Sequence, residues 1–232
     1  QAEPPPSHSI QAPLDPARPN SVSLSHWSGR LRLVATFRET PSVKTFRFAN
    51  LRDGDIPFIH VPGQFVTLEI PIAGKIIKRS YTIASSPTQR RHIELTIKRE
   101  ENGLVSRHVH DALKMGDELS MTGPSGGFTF TGSEADNIVL IAGGVGITPM
   151  MSVLRYLVDC AWPGEIFLIY ACRSTDEFIF AEELAYLQKR HARLQVVGAM
   201  TRAEGSSWAG PRGHITKSLL ADAVPGIAGR RV

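Results

Sequence analysis

The chain has 232 residues, enough for one large domain or two small ones, and 42% of them are hydrophobic, so a core of ordinary size is within reach. The net charge is only +4, and its basic residues are scattered without aromatic interleaving, which argues against a nucleic-acid partner. Two cysteines cannot supply a disulfide framework, a zinc centre or an iron–sulfur centre.

Residues 1–28 are rich in Pro and Ser and lack apolar periodicity, so they read as a tail or linker with Trp27 as its anchor. From Arg30 to about Phe130 the pattern is all-β. Leu31, Leu33 and Ala35 alternate with polar residues, and segments 43–48, 65–70, 79–84, 92–98 and 118–122 complete six strands. Asp53-Gly54, Ala73-Gly74 and Ser86-Pro87 supply turns between them. Six strands at this spacing predict a closed antiparallel barrel over 29–132, interrupted by one short helix from Val105 to Leu113.

After Gly132 the pattern changes. Ile138 to Ala142 is an unbroken apolar run, as a strand buried on both faces requires. A helix is expected from Pro149 to Asp159, a strand over 166–171, an amphipathic helix over 177–190, a strand over 194–199 and a further helix from Ile215. Strands alternating with helices predict a parallel sheet over 133–232 with right-handed crossovers. A further strand is expected where the chain stops at Arg230-Arg231-Val232, so this second unit reads as C-terminally truncated. No apolar run has the length of a membrane span, no signal peptide is visible, and Cys160 and Cys172 read as reduced core thiols of a cytoplasmic protein.

Three segments carry chemistry. Gly143-Gly144-Val145-Gly146-Ile147-Thr148-Pro149 sits between a strand and a helix. Small residues there let a dinucleotide diphosphate settle on the helix amides, with Gly143, Gly144 and Gly146 giving close approach and Thr148 a hydroxyl beside Pro149. A tight turn that needs glycine only for geometry is the plainer alternative. Ile97 and Lys98 end a strand, and Gly103-Leu104-Val105-Ser106 opens the short helix, where free amides attract phosphate and Ser106 either caps the helix or donates to that phosphate. His108 and His110 sit at helical spacing beside apolar residues and read as packing or surface groups. Arg79-Ser80-Tyr81-Thr82 alternates along a strand, with Arg79 and Tyr81 on one face and Ser80 and Thr82 on the other.

Taken in order, these motifs resemble the ferredoxin–NADP reductase superfamily of flavoproteins, and look close to its bacterial NADH-dependent branch that feeds iron–sulfur centres. Arg79 to Thr82 looks like the flavin motif of that family, Gly103 to Ser106 like its diphosphate segment, Gly123 to Phe128 like the turn closing its flavin barrel, and Gly143 to Pro149 like its nicotinamide-nucleotide loop. The resemblance implies an FAD-binding barrel followed by an NAD(P)-binding α/β unit, with FMN the less favoured flavin. It implies that Tyr81 stacks on the isoalloxazine, that Thr82 bonds near its N5, and that Arg79 with the Val105 and Ser106 amides holds the diphosphate. It further implies electron flow from NADH, with NADPH as the alternative, through the flavin to a one-electron acceptor such as an iron–sulfur protein or a fused 2Fe-2S domain. Arg173 and Asp176, at a strand end, are candidate adenosine contacts: Asp176 opposes a 2′-phosphate, or caps the helix expected at Glu177. A second reading is a non-catalytic flavin-binding or docking module of a larger electron-transfer protein.

Overall fold

A computed structural model describes residues 26–203 and 206–227; the expected tail up to residue 25 and the expected strand after Arg230 lie outside these residues. Six strands, β1 (Trp27–Thr40), β2 (Val43–Asn50), β3 (Phe65–Ile72), β4 (Lys75–Thr82), β5 (His92–Lys98) and β6 (Glu118–Ser125), form one antiparallel sheet. Their order is β4-β3-β6-β1-β2-β5. Residues two apart on each strand share a face, so Leu31 and Leu33, Phe46 and Phe48, Val66, Leu68 and Ile70, and Ile93, Leu95 and Ile97 all enter one core. α1 (Leu104–Asp111) packs Val105 and Val109 against the same core.

The sheet curls until its edge strands β4 and β5 approach, yet they join only at one end. There Ile83 bridges Leu95, and the Ala84 N–H donates to the Glu94 carbonyl at 2.8 Å. Among the described residues no ladder runs along the rest of that junction, so the barrel has an open seam where the sequence predicted closure. β1 starts at Trp27, inside the segment expected to be tail, and the Trp27 ring lies 5.1 Å from that of Phe58.

The second half is β7 (Asn137–Gly143), α2 (Ile147–Asp159), β8 (Glu165–Cys172), α3 (Ala181–Arg190), β9 (Leu194–Met200) and α4 (Lys217–Ala223). The strands form a parallel sheet in the order β7-β8-β9. One face, with Leu140, Leu168 and Tyr170, packs on Leu154 and Leu157 of α2 and Leu184 and Leu187 of α3. The other face, with Val139, Phe167 and Ile169, meets Leu220 and Ala223 of α4. Burial on both faces is why these strands read as continuous apolar runs.

Four expectations need correction. α3 begins at Ala181 instead of Glu177, behind a 3-10 turn over 175–177, an extended Phe178 and a turn that ends with Phe180 at φ +60°. Phe178 meets the Tyr170 ring edge-on at 5.1 Å while Phe180 lies against the Arg155 guanidinium, so tertiary packing takes both rings out of the helical register. α4 starts at Lys217 because Thr216 caps it, its hydroxyl accepting from the Leu219 N–H at 3.1 Å. α2 starts at Ile147, two residues before Pro149. Cys172 is buried as expected of a core thiol, but Cys160 is exposed at the C-terminal end of α2.

Candidate functional site

The sequence motif on β4 lies along the open seam. In the antiparallel pairing with β3, Tyr81 stands opposite Val66 and Arg79 opposite Leu68, so both share the inner face with core residues. Arg79 is nevertheless exposed and Tyr81 only half-buried, because β5 is absent at that side of the strand. Among the described residues the Arg79 guanidinium donates only to the carbonyl of its neighbour Lys78, at 2.8 Å. Burial, partly offset by Arg79, pushes the Tyr81 phenol above its usual range, so it stays protonated. Ser80 and Thr82 turn to the outer face, where the Ser80 hydroxyl pairs with that of Thr67 at 2.9 Å.

The segment at the start of α1 divides its tasks between backbone and side chains. Gly103 precedes the helix without any side-chain cap, so the first-turn amides have no such partner. The Ser106 hydroxyl is engaged locally, accepting from the Glu100 N–H and donating to the Gly103 carbonyl, both at 3.2 Å. Val105 is in the barrel core and Leu104 is exposed. Ile97 is also a core side chain, and its carbonyl accepts from His110 at 2.8 Å, which explains why that histidine is buried. Lys98 pairs with Glu100 at 3.3 Å.

The glycine loop is a single 3-10 turn, Gly144–Gly146, leading directly into α2. A Cβ placed on Gly144 or Gly146 would meet nothing within 4 Å, and no side chain caps the helix at Gly146. Thr148 is buried and Pro149 half-buried. The turn opens on a cavity of about 300 Å³ between the two halves, lined by Thr40, Ser42 and Lys98 of the barrel and by Gly144, Arg173 and His214. Arg173 lines this cavity, whereas Asp176 lines an adjoining groove beside Arg38 and Glu182. Asp176 caps no helix, since it lies in a short 3-10 turn over 175–177 without a side-chain cap.

The two motifs are joined by contacts that sequence reasoning missed. Just beyond Thr82, the Ser85 carbonyl accepts from the Ser152 hydroxyl of α2 at 3.1 Å and faces His60 Nε2 at 3.2 Å. The Ala84 carbonyl accepts from Arg155 at 2.7 Å. The one signal available was a lone cation in a mostly apolar stretch of helix, Met150 to Val158.

His60 makes this junction acid-sensitive. Burial lowers its pKa to about 4, opposed by its bond to Ser85, with Arg90 adding repulsion. The fold therefore holds the neutral ring, and its contribution is present above pH 6.5 and lost as pH falls towards 4. The stability advantage of the native chain over His60→Gln should shrink by about 3 kcal/mol between pH 7 and pH 4. Chemical denaturation of both proteins at several pH values measures this, and parallel pH profiles would refute it.

Two family models match in the same order as the two halves: an oxidoreductase FAD-binding domain over residues 30–130 and an oxidoreductase NAD-binding domain over 140–230. Ferredoxin--NADP reductase B of Sorangium cellulosum is 32% identical over 184 residues, covering 79% of this chain and 74% of that protein. The chain belongs to the ferredoxin–NADP reductase superfamily. Another of its relatives in this superfamily is the glycine betaine monooxygenase reductase subunit of Chromohalobacter salexigens, 36% identical over 218 residues. That alignment takes in 92% of this chain but only 59% of the relative, so this superfamily member spans little more than half of that protein. Among solved structures, the flavohem-like FAD/NAD-binding domain of nitric oxide dioxygenase from Vibrio cholerae superposes with a TM-score of 0.74 at 26% identity, covering 82% of this chain and 80% of the other. The residues present fit the superfamily's two cofactors. The seam offers an exposed guanidinium that meets only a neighbouring carbonyl among the described residues, together with an aromatic face, and the glycine turn leaves a hollow that any side chain would fill. Among the described residues no helix is long and apolar enough to cross a membrane, and no three His, Cys, Asp or Glu side chains cluster to hold a metal ion.

Proposed function

We propose that this chain is the FAD- and NADH-binding part of a reductase that delivers electrons to an iron–sulfur acceptor. The observation that carries this reading is the bonding of the strand end beside Tyr81 and Thr82 to the helix that springs from the glycine loop. Flavin bound in the seam would supply the redox chemistry, accepting a hydride from NADH and releasing its electrons singly. Tyr81 covers the flavin ring, Thr82 reaches its edge, and Arg79 with the first-turn amides of α1 neutralises the diphosphate. Gly143, Gly144, Gly146 and Thr148 seat the dinucleotide on α2, and Arg173 meets its adenosine. The carboxylates of Asp176 and Glu177 beside that site favour NADH over a dinucleotide carrying a 2′-phosphate. No general base is needed, since the protein contributes position and electrostatics. The glycine betaine monooxygenase and stachydrine N-demethylase relatives are named as reductase subunits, which supports a separate oxygenase component with an iron–sulfur centre as the acceptor. Two free thiols suit the reducing cytoplasm.

The purified chain should take up FAD in a one-to-one ratio, turn yellow, and bleach anaerobically when NADH is added. Failure to bind FAD overturns the reading. Stoichiometric FAD without reduction by NADH makes the chain a docking module instead.

A further inference from the structure

Arg155 bonds to more elements than any residue of the two motifs. Its Nε and Nη2 grip Glu183 of α3 at 2.7 and 2.6 Å, and its Nη1 reaches both the Ala84 carbonyl at 2.7 Å and Glu94 of β5 at 3.2 Å. Glu94 in turn holds Arg47 of β2 at 2.7 Å. The Phe180 ring closes over the guanidinium 5.0 Å from its centroid, and only 13% of the side chain is exposed. Burial opposes its charge, but Glu183, with Glu94 and Glu39 behind it, holds the proton more firmly than usual.

The placement matters more than the number of bonds. Arg155 and Ser152 lie one turn apart on α2 and grip consecutive carbonyls, those of Ala84 and Ser85. Ala84 is two residues from Thr82, at most about 7 Å along the strand. Ser152 and Arg155 are four and seven residues from Thr148, about 6 and 10 Å along the helix. The two residues just past the Ile83 bridge and a helix thus connect the flavin-side motif to the nucleotide loop. A lysine could supply charge but not the planar fork that spans three acceptors.

We propose that Arg155 is a positioning residue: by clamping the segment that follows β4 to α2 and α3 it fixes the distance between the seam and the glycine loop, and so the alignment of the two cofactors. The proposal rests on the functional reading above. It touches neither cofactor and acts only through the backbone it holds.

Arg155→Met and Arg155→Lys test it, the second guarding against a variant that fails to fold. With FAD bound, the rate of anaerobic flavin reduction at saturating NADH should fall about 10- to 100-fold in Arg155→Met and by less in Arg155→Lys. FAD affinity and the NADH concentration for half-saturation should stay within about threefold, because no cofactor contact is removed. In flavin-free protein, spin labels on Lys75→Cys and Lys189→Cys, in a Cys160→Ser background, report the separation of the two halves by pulsed electron resonance. The native distance distribution should be narrow, and that of Arg155→Met broad. A distribution equally narrow in Arg155→Met overturns the clamp whatever NADH does. A broad distribution with an unchanged reduction rate overturns the positioning role and leaves Arg155 as a stabilising contact. A native chain that binds FAD but is not reduced by NADH overturns the functional reading, and with it the role in hydride transfer, while the distance measurement still decides the clamp.

Discussion

Gly146→Val should fold as the native chain does and lose effective use of NADH. Gly146 has φ −62° and ψ −5°, a conformation open to any residue, and nothing lies within 4 Å of the Cβ it would gain. Replacing glycine at such a site narrows the unfolded ensemble and leaves folding stability level or slightly raised. The added isopropyl group instead fills the space in front of the first-turn amides of α2, where the diphosphate would sit. Displacing two charge-assisted hydrogen bonds weakens binding by about 3 kcal/mol or more, roughly a hundredfold in NADH affinity. Gly144 cannot serve for this test, since its φ of +49° would add backbone strain to any substitution. The concentration of NADH giving half-maximal flavin reduction measures the effect, alongside thermal unfolding. An unchanged half-saturation would show that the diphosphate does not lie on this helix.

The architecture was readable because both halves impose strict periodicity. β5 alternates apolar and polar side chains, with Ile93, Leu95 and Ile97 in the core, as do Phe46 and Phe48 of β2 about Arg47, and the apolar runs of β7 and β8 are what burial on two faces demands. Local chemistry was harder to read where tertiary packing overrides it. Phe178, Phe180 and Ala181 have helical spacing, yet Tyr170 and Arg155 each claim one ring and delay α3 to Ala181. The glycine loop and Arg79 to Thr82 were visible because their chemistry is contiguous in the chain. The junction of the two halves was not, because its partners are 28 to 71 residues apart, as in Arg155 with Glu183 and with Ala84. No local pattern encodes such pairs. Nor could alternation along β4 reveal that its inner face would stand open. That depends on β5 diverging after one bridge, a property of sheet twist and not of either strand alone.

The open seam explains why β4 carries residues that a closed barrel would not tolerate. An inward-facing Arg79 in a sealed core would bury an unpaired charge, at a cost that exceeds the margin of an ordinary domain. Here the same inward direction leads to solvent, and among the described residues the guanidinium holds nothing but the carbonyl of Lys78. Arg79→Ala should therefore leave the thermal stability of flavin-free protein almost unchanged, within about 0.5 kcal/mol. It should weaken FAD binding by about 1.5–3 kcal/mol, or roughly 10- to 150-fold, through loss of a charged hydrogen bond to the diphosphate. Tyr81→Ala separates the two ends of the ligand. It should alter the absorbance and fluorescence of bound flavin, which Arg79→Ala leaves alone, because Tyr81 meets the ring and Arg79 the phosphates. Titration of flavin-free protein with FAD, followed by fluorescence, reads affinity and environment together. Equal affinity for native and Arg79→Ala protein would move the diphosphate off the seam, and an unperturbed spectrum in Tyr81→Ala would move the ring. If both hold, the inward arginine is left with only the Lys78 carbonyl among the described residues, and the opening between β4 and β5 needs a different occupant.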